Sequence, residues 1–509
     1  MLEKKKTMRI LRKVSNVFLL TVGSLGGVLI VLFSLLNLKK FGLANLDVVT
    51  TLFVIFYIGV SVGLYFIPNK RLVRVIVLAT IVILAALIRY WWIKVANTVP
   101  ESDFAVMYHA ARDLASGHNL NVLKESGYFL AYPYQNGFVL YQALIMKVFG
   151  TSVFSLQLMN VLLGGLTIIL LYFMVKLISN DRTAMIAMFM YAFYLPAILM
   201  TSVLTNQIVA TLMYVAGFYL LIDGQKQLRD SWLGLMKLSF GALFILLGNI
   251  MRPLGPVILI AIVLYYLVYV LEYRKKFFSG NIKSLLAIVV ILVIYFVGMF
   301  AAGAGIKASG VSDYGLVNRD PMWKFVTGLN SESRGHYSTE ALAELNKEPI
   351  GVKRDALGKR IIKSELKNGN VLKLFLVKYK SMWSDNDSSM RWSANNPNVQ
   401  VNVTTLNGKL VIRRIELAQK IQWIFIFMLL VIALVMMFKS ADIMLNKNSF
   451  VMLLIILIFG YIAVHLLIEI QTRYRFFIIP FIISMGAIGL SSLLGKVDQE
   501  KAQDISIVK

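Results

Sequence analysis

The chain has 509 residues, of which 58% are hydrophobic and only 15% charged, and its mean hydropathy is +0.73. A soluble protein needs a far more polar surface than this, and the apolar runs are continuous, not alternating, which argues against an outer-membrane barrel. The formal net charge is +26 with no cysteine, so disulfides, thiol catalysis and Cys-ligated metals are excluded, and no soluble basic domain is present to take nucleic acid.

A membrane-crossing helix needs about 20 apolar residues. Twelve such spans are predicted, near 16–37, 48–67, 73–93, 153–177, 183–200, 203–222, 236–251, 254–271, 284–303, 421–438, 449–468 and 476–494. The basic start, Met1 to Lys13, precedes the first span without a small-residue cleavage site, which predicts an uncleaved helix. Lys4, Lys5, Lys6, Arg9, Arg12 and Lys13 place the N-terminus in the cytoplasm by the positive-inside bias. Counting spans from there, Lys70, Arg71, Arg74, Lys176, Arg182, Lys226, Arg229, Arg274, Lys275, Lys276, Lys439 and Lys447 fall on the same side, with the C-terminal tail. Lys39 and Lys40 are the exception.

The expected organisation has five parts. N-terminal spans occupy 1–94 and a first extracytoplasmic loop 95–152. A central bundle covers 153–303, a second extracytoplasmic segment 304–420, and the last spans and a cytoplasmic tail 421–509. In the first loop Phe104, Met107, Tyr108, Ala111, Leu114 and Ala115 recur at helical spacing, with Ser102 as cap and Gly117 as stop. A second interfacial helix runs from Pro133 to Gly150, with Tyr134, Phe138, Tyr141, Ile145 and Val148 as its apolar stripe. The second outer segment is predicted to hold helices near 339–346 and 352–367 and a lysine-rich amphipathic stretch from Val371 to Trp383. Asn407-Gly408, between Val399–Val403 and Leu410–Ile412, predicts a small hairpin. A connection of this length folds over the membrane face. Trp383 reads as an interfacial anchor, and Asp385 and Asp387 as solvated acids.

Ionisable residues in three separate outer loops carry the chemistry. Asp103 can act as a general base toward a hydroxyl or hold a divalent cation; equally, an acid in a first helical turn answers the helix dipole. Tyr132 and Tyr134 are aromatic-belt anchors or hydrogen-bond donors to a lipid phosphate. Arg252, before Pro253, either snorkels or forks a phosphate. Glu469, Arg473, Tyr474 and Arg475 crowd a very short turn; Glu469 and Arg473 are spaced for a helical ion pair, while charge so near a membrane is a functional candidate. His109, His118 and His336 lack metal-ligand spacing.

These residues resemble a known pattern. An acid opening the first outer loop (Asp103), a Tyr-Pro element on interfacial helices (Tyr132-Pro133-Tyr134), an Arg-Pro turn (Arg252-Pro253) and a closing Glu-x-x-x-Arg-Tyr with a downstream proline (Glu469, Arg473, Tyr474, Pro480) resemble the GT-C integral-membrane glycosyltransferases. The nearest branch is that of protein O-mannosyltransferases and lipid A aminoarabinose transferases. The resemblance covers about 95 to 490. It implies an all-α GT-C-like bundle of about 12 transmembrane helices with interfacial helices and a mixed outer segment. It also implies inverting transfer of a sugar from a polyprenyl-phosphate (undecaprenyl-phosphate) donor to an extracytoplasmic glycan, polymer or protein, with a cell-envelope polymer as the expected acceptor in a bacterial plasma membrane. Asp103 would be the base, and Tyr132, Tyr134, Arg252, Arg473 and Arg475 would hold the leaving lipid phosphate; Mg or Mn at Asp103 is the cofactor to test. The chain departs from the family in having two extra spans ahead of the first expected one, Ser-Asp-Phe where relatives pair Asp with Glu, and its large outer segment between spans. A flippase or transporter of lipid-linked saccharides, or a polymerase, is the alternative.

Overall fold

The computed structural model describes residues 2–41, 47–68, 70–228, 231–270, 277–395, 406–439 and 449–507, whose regular structure is helical, with no strand among them. The first long helices are α1 (Leu2–Phe41), α2 (Val48–Phe66) and α3 (Arg71–Ala96). A shorter pair follows, α4 (Ser102–Ser116) and α5 (Asn136–Phe149). The central set is α6 (Val153–Ile178), α7 (Asp181–Ala192), α8 (Leu195–Leu199), α9 (Gln207–Gln227), α10 (Leu233–Met251), α11 (Gly255–Tyr265) and α12 (Phe277–Ala308). The outer segment holds α13 (Trp323–Leu329), α14 (Thr339–Leu345), α15 (Val352–Asn368), α16 (Val371–Ser384) and α17 (Ser389–Ser393). The last three are α18 (Leu406–Lys439), α19 (Phe450–Leu467) and α20 (Ile479–Ile507).

Nine of the described helices are long and apolar enough to cross a membrane, or ten if one bent pair counts as a single span; Gly255–Val270 and Ile479–Gly495 are shorter apolar helices. The chain is thus a multi-pass membrane protein. Its described helices follow the twelve predicted spans closely, with one change of form. The region predicted as 183–200 is broken: α7 and the helical stretch Leu195–Ser202 bend by 56°. Pro196 fits the break, because it lacks an amide hydrogen and sits in the first turn of the new helix, where none is needed, while Tyr194 turns extended ahead of it.

A broken helix inside an apolar bundle exposes carbonyls that need partners. Arg89 of α3, only 1% exposed, donates to Ala192 O at 2.8 Å. Gln422 of α18 donates to Phe193 O at 2.8 Å and accepts from Leu195 N at 3.1 Å. Past the break, Asn160 donates to Thr201 O and Val203 O, and Gln157 to Ser202 O. The irregular stretch to Asn206 is therefore held from α6. Replacing Arg89 by methionine should lower the unfolding temperature of the solubilised protein, since an orphaned buried carbonyl costs about 1–3 kcal/mol. An unchanged melting curve would show that Gln422 alone suffices.

α9 and α10 run backbone against backbone: a Cβ on Gly217 would stand 3.1 Å from Gly241 O, and one on Gly241 3.1 Å from Gly217 O. Small residues at such a crossing permit this approach. The ends of α3, α10 and α19 lie at one end of the bundle. At the opposite end Asp181 gathers Arg74, Lys176 and Tyr172, and Tyr269 of the π-turn Tyr266–Val270 donates to Asn16.

Several local expectations change. Leu410–Ile412 belongs to α18, which starts at Leu406, so the second strand of the expected hairpin is helical; Val399–Val403 lies outside the described residues. The β-branched run that reads as a strand is the first turns of a long helix whose Ile412 and Ile415 pack on a buried cluster. Trp383 is no interfacial anchor. It is 1% exposed, stacks on Trp423 with ring centres 6.5 Å apart, and α16 packs along α1. Nor are Asp385 and Asp387 solvated: Asn37 donates to Asp385 Oδ1 at 2.9 Å, and Arg475 pairs with Asp387 at 3.1 Å. Glu101, not Ser102, occupies the cap position of α4, and Ser102 carries φ +53°. Gly117 closes α4 in the left-handed conformation as expected. In α5 the buried face is Phe138, Val139, Gln142 and Met146, with Val148 exposed.

Candidate functional site

The closing turn is the centre. After α19 the chain runs extended through Glu469 and Gln471, then forms a 3-10 turn, Thr472–Phe477. A short polar loop between two apolar helices must satisfy its own groups, and here the side chains do it in series. Tyr474 Oη donates to Glu469 Oε2 at 3.3 Å, Gln471 Nε2 donates to Glu469 Oε1 at 2.7 Å, and Arg473 Nε donates to Gln471 Oε1 at 2.7 Å. The helical Glu469–Arg473 ion pair is absent, because this segment is not a helix; the glutamine stands between the charges.

Three cations surround the Tyr474 ring. Arg252 Cζ lies 5.3 Å from its centre, Arg473 Cζ 5.7 Å and Lys324 Nζ 6.0 Å. Among the described residues none of the three forms an ion pair. Arg252, at the end of α10, donates to Asn206 Oδ1 at 2.8 Å, and its carbonyl accepts from Tyr214 at 2.7 Å. Arg473 lies over Trp392 of α17 at 4.2 Å and over Phe104 of α4 at 5.1 Å, a cation–π seat that fixes the guanidinium without neutralising it.

Asp103, in the first turn of α4, immediately precedes Phe104 and so adjoins Arg473. Burial raises its pKa above the ordinary carboxylate value, with Arg473 and then Lys324 pulling the other way. Lys324 is lowered by burial and raised in turn by Glu469. Beside them, Tyr132 has Tyr128 at 5.3 Å, Tyr134 at 5.9 Å and Trp323 at 5.9 Å between ring centres. Burial pushes the Tyr132 phenol up to about 12 and that of Tyr134 higher still, so both keep their protons and can donate.

The structure therefore brings Asp103, Tyr132, Tyr134, Arg252, Glu469, Arg473 and Tyr474 into one neighbourhood. Arg475 points elsewhere: it is 1% exposed, pairs with Asp387, donates to Asp385 O at 3.2 Å and lies 4.5 Å over Trp423. Sequence reasoning missed Lys324, one of many lysines in the outer segment with no local mark to separate it. It also missed Asn206 and Gln207, which donates to Arg473 O at 2.8 Å; the polar run Thr205-Asn206-Gln207 inside an apolar region was the available signal. Among the described residues no three His, Asp or Glu side chains gather as a metal site. Asp103 lies under the influence of two cations instead, so this donor set does not fit a divalent ion.

Residues 137–299 match the family model for dolichyl-phosphate-mannose-protein mannosyltransferase. The resemblance is to the GT-C superfamily. The matched stretch contains Arg252 but neither Asp103 nor the closing turn, so it covers less of the chain than the loop residues imply. No curated protein matches the sequence. Among solved structures, the GT-C-like neighbours include the archaeal oligosaccharyltransferase AglB from Archaeoglobus fulgidus, in complex with an inhibitory peptide and a dolichol-phosphate. It shares 14% identity over 84% of this chain and 52% of that one, with a TM-score of 0.47. The Archaeoglobus fulgidus oligosaccharyltransferase complex with Zn and sulfate gives 14%, 84%, 51% and 0.45. ArnT from Cupriavidus metallidurans bound to undecaprenyl phosphate gives 12%, 82%, 79% and 0.33. These are distant likenesses, and the chain spans about half the length of the oligosaccharyltransferases it matches.

Proposed function

We propose that the chain is an inverting glycosyltransferase that moves a sugar from a polyprenyl-phosphate donor, undecaprenyl-phosphate in a bacterial plasma membrane, to an acceptor hydroxyl outside the cell. The observation that carries this reading is the trio of Arg252, Lys324 and Arg473 around Tyr474, without ion-pair partners among the described residues, with Asp103 close enough to feel two of them. A site of that make-up suits an anion whose charge grows during reaction. Asp103 takes the proton from the acceptor hydroxyl; the oxygen attacks the anomeric carbon opposite the phosphate. The carbon–oxygen bond to phosphate breaks, and the departing lipid phosphate gains one negative charge, which Arg252, Lys324 and Arg473 stabilise. Tyr132 and Tyr134, kept protonated, donate to phosphate or sugar oxygens. Arg475 serves the site through the backbone: its pairing with Asp387 and its bond to Thr472 O at 3.0 Å hold the turn in place.

The extracytoplasmic acceptor we infer is a cell-envelope polymer, and both termini are cytoplasmic by the lysine and arginine bias. The flippase reading is disfavoured because cations inside the spans are occupied by carbonyls: Arg89 by Ala85 and Ala192, Lys420 by Ser384. A transport path would need such charges facing a cavity. The test is consumption of a panel of polyprenyl-phosphate sugars by the purified chain in lipid nanodiscs, with and without divalent cations and chelator. One donor should be consumed in a chelator-insensitive manner. A chain that consumes none of them while moving lipid-linked sugar across vesicles would replace this reading with the transporter.

A further inference from the structure

Lys324 reaches the site from α13, and a buried amine joins that helix to the end of α19. Lys378 of α16 is 1% exposed, yet among the described residues no carboxylate pairs with it. Its Nζ donates to three carbonyls: Gly328 O at 2.6 Å, Leu466 O at 2.7 Å and Ile468 O at 2.9 Å. An ammonium has three donors, so the group is fully used. Leu466 and Ile468 are at the end of α19, where helix carbonyls lack partners and the dipole favours a cation. Gly328 is in the last turn of α13, the helix that carries Lys324.

Two backbone bonds run through the same junction. Glu469 N donates to Lys324 O at 2.8 Å and Ile470 N to Gly335 O at 2.9 Å. The fit depends on absent side chains. A Cβ on Gly328 would stand 2.2 Å from the Ile468 carbonyl carbon, and one on Gly335 2.7 Å from Lys378 Cδ and Cε. Gly335 also has φ +77°, a conformation other residues avoid. Without the amine, three carbonyls face one another with no donor, and the backbone bonds of Glu469 and Ile470 must hold the junction against that repulsion.

We propose that Lys378 is a positioning residue: by binding the carbonyls of α13 and of the α19 end together, it sets Lys324 at its place beside Tyr474 and Asp103. The inference rests on the reading of the site as a lipid-phosphate site and adds to it a residue that touches no substrate. If Lys378 acts through Lys324, losing one must make losing the other nearly harmless. A residue that merely stabilises the fold gives independent, multiplying losses.

The experiment measures binding of undecaprenyl phosphate, and of undecaprenol as the uncharged control, to the full chain in detergent for parent, K324M, K378M, K324M/K378M and G335A. Undecaprenyl phosphate is the product shared by every undecaprenyl-linked donor, so the sugar need not be known. K324M should weaken it about tenfold or more, the size of one charge-assisted contact. K378M and G335A should do nearly the same, the double variant should be no weaker than K324M, and undecaprenol should bind all five alike. Multiplying losses in the double variant, or a folded K378M that binds like the parent beside a weakened K324M, would overturn the proposal alone. So would failure of both K378M and G335A to yield folded protein, which would make Lys378 a folding residue. A parent that binds undecaprenyl phosphate no better than undecaprenol fells the reading of the site, and this proposal with it.

Discussion

Asp103→Asn should abolish sugar transfer while leaving expression, membrane insertion and undecaprenyl-phosphate binding near those of the parent. General-base catalysis contributes roughly 10²–10⁴-fold, so turnover should fall by at least about a hundredfold. The change is nearly isosteric, and Asp103 makes no ion pair among the described residues, so the loss would be chemical and not structural. The pH profile supplies an independent reading. Burial holds the acid above the ordinary carboxylate range, and a general base works only when deprotonated. The acid limb of kcat/KM should therefore lie above the usual Asp value of about 3.9. Arg473 and Lys324 pull that pKa down, so removing a cation must raise it; K324M should move the limb to higher pH. Full activity in D103N, or a limb that K324M moves downward, would remove Asp103 from the mechanism.

The second large effect is expected at Arg473. Replacing it with alanine removes a cation seated on Trp392 and Phe104 which, on the proposed reaction, meets the growing phosphate charge. Loss of one preorganised charge-stabilising group costs about 10²–10³ in kcat. Arg473→Lys should recover little, because an ammonium neither stacks on two rings as a guanidinium does nor forks a phosphate. Arg475→Ala should behave differently. Its partner Asp387 would be left buried and unpaired, a loss of about 3–5 kcal/mol, so it should fail in thermal stability before any kinetic measurement. If R473A keeps parental kcat and R475A is stable but inactive, the assignment of the two arginines is reversed.

The spans were legible because bilayer thickness dictates a length of apolar residues that few other structures need; α1, α18 and α20 run well past the predicted edges, because polar turns outside the apolar run continue the same helix. The break at 192–195 was readable in principle from Pro196, but its partners were not: Arg89 and Gln422 lie on distant helices. The outer helices α14 and α15 followed from their periodicity. The hairpin failed because Val-rich and Ile-rich stretches fit either a strand or the start of a helix, and what decides is the continuation into an apolar span. For the site, Asp103, Arg252 and Arg473 stood out because charge next to apolar runs is costly and therefore rare. Lys324 did not, because in a polar segment a lysine costs nothing; only its fold-imposed neighbours distinguish it. Arg475 misled for the same reason in reverse. Its conspicuous charge answers Asp387, some ninety positions away, which local sequence cannot reveal.

Gln471 keeps Glu469 and Arg473 apart by accepting from one and donating to the other. Had the acid paired directly with the arginine, an arriving donor would first have to displace an internal counter-ion. As built, the basin is never quenched, and it grips a dianion harder than a monoanion. On the proposed reaction the spent carrier is the dianion, so accumulating carrier would act as an inhibitor competing with fresh donor.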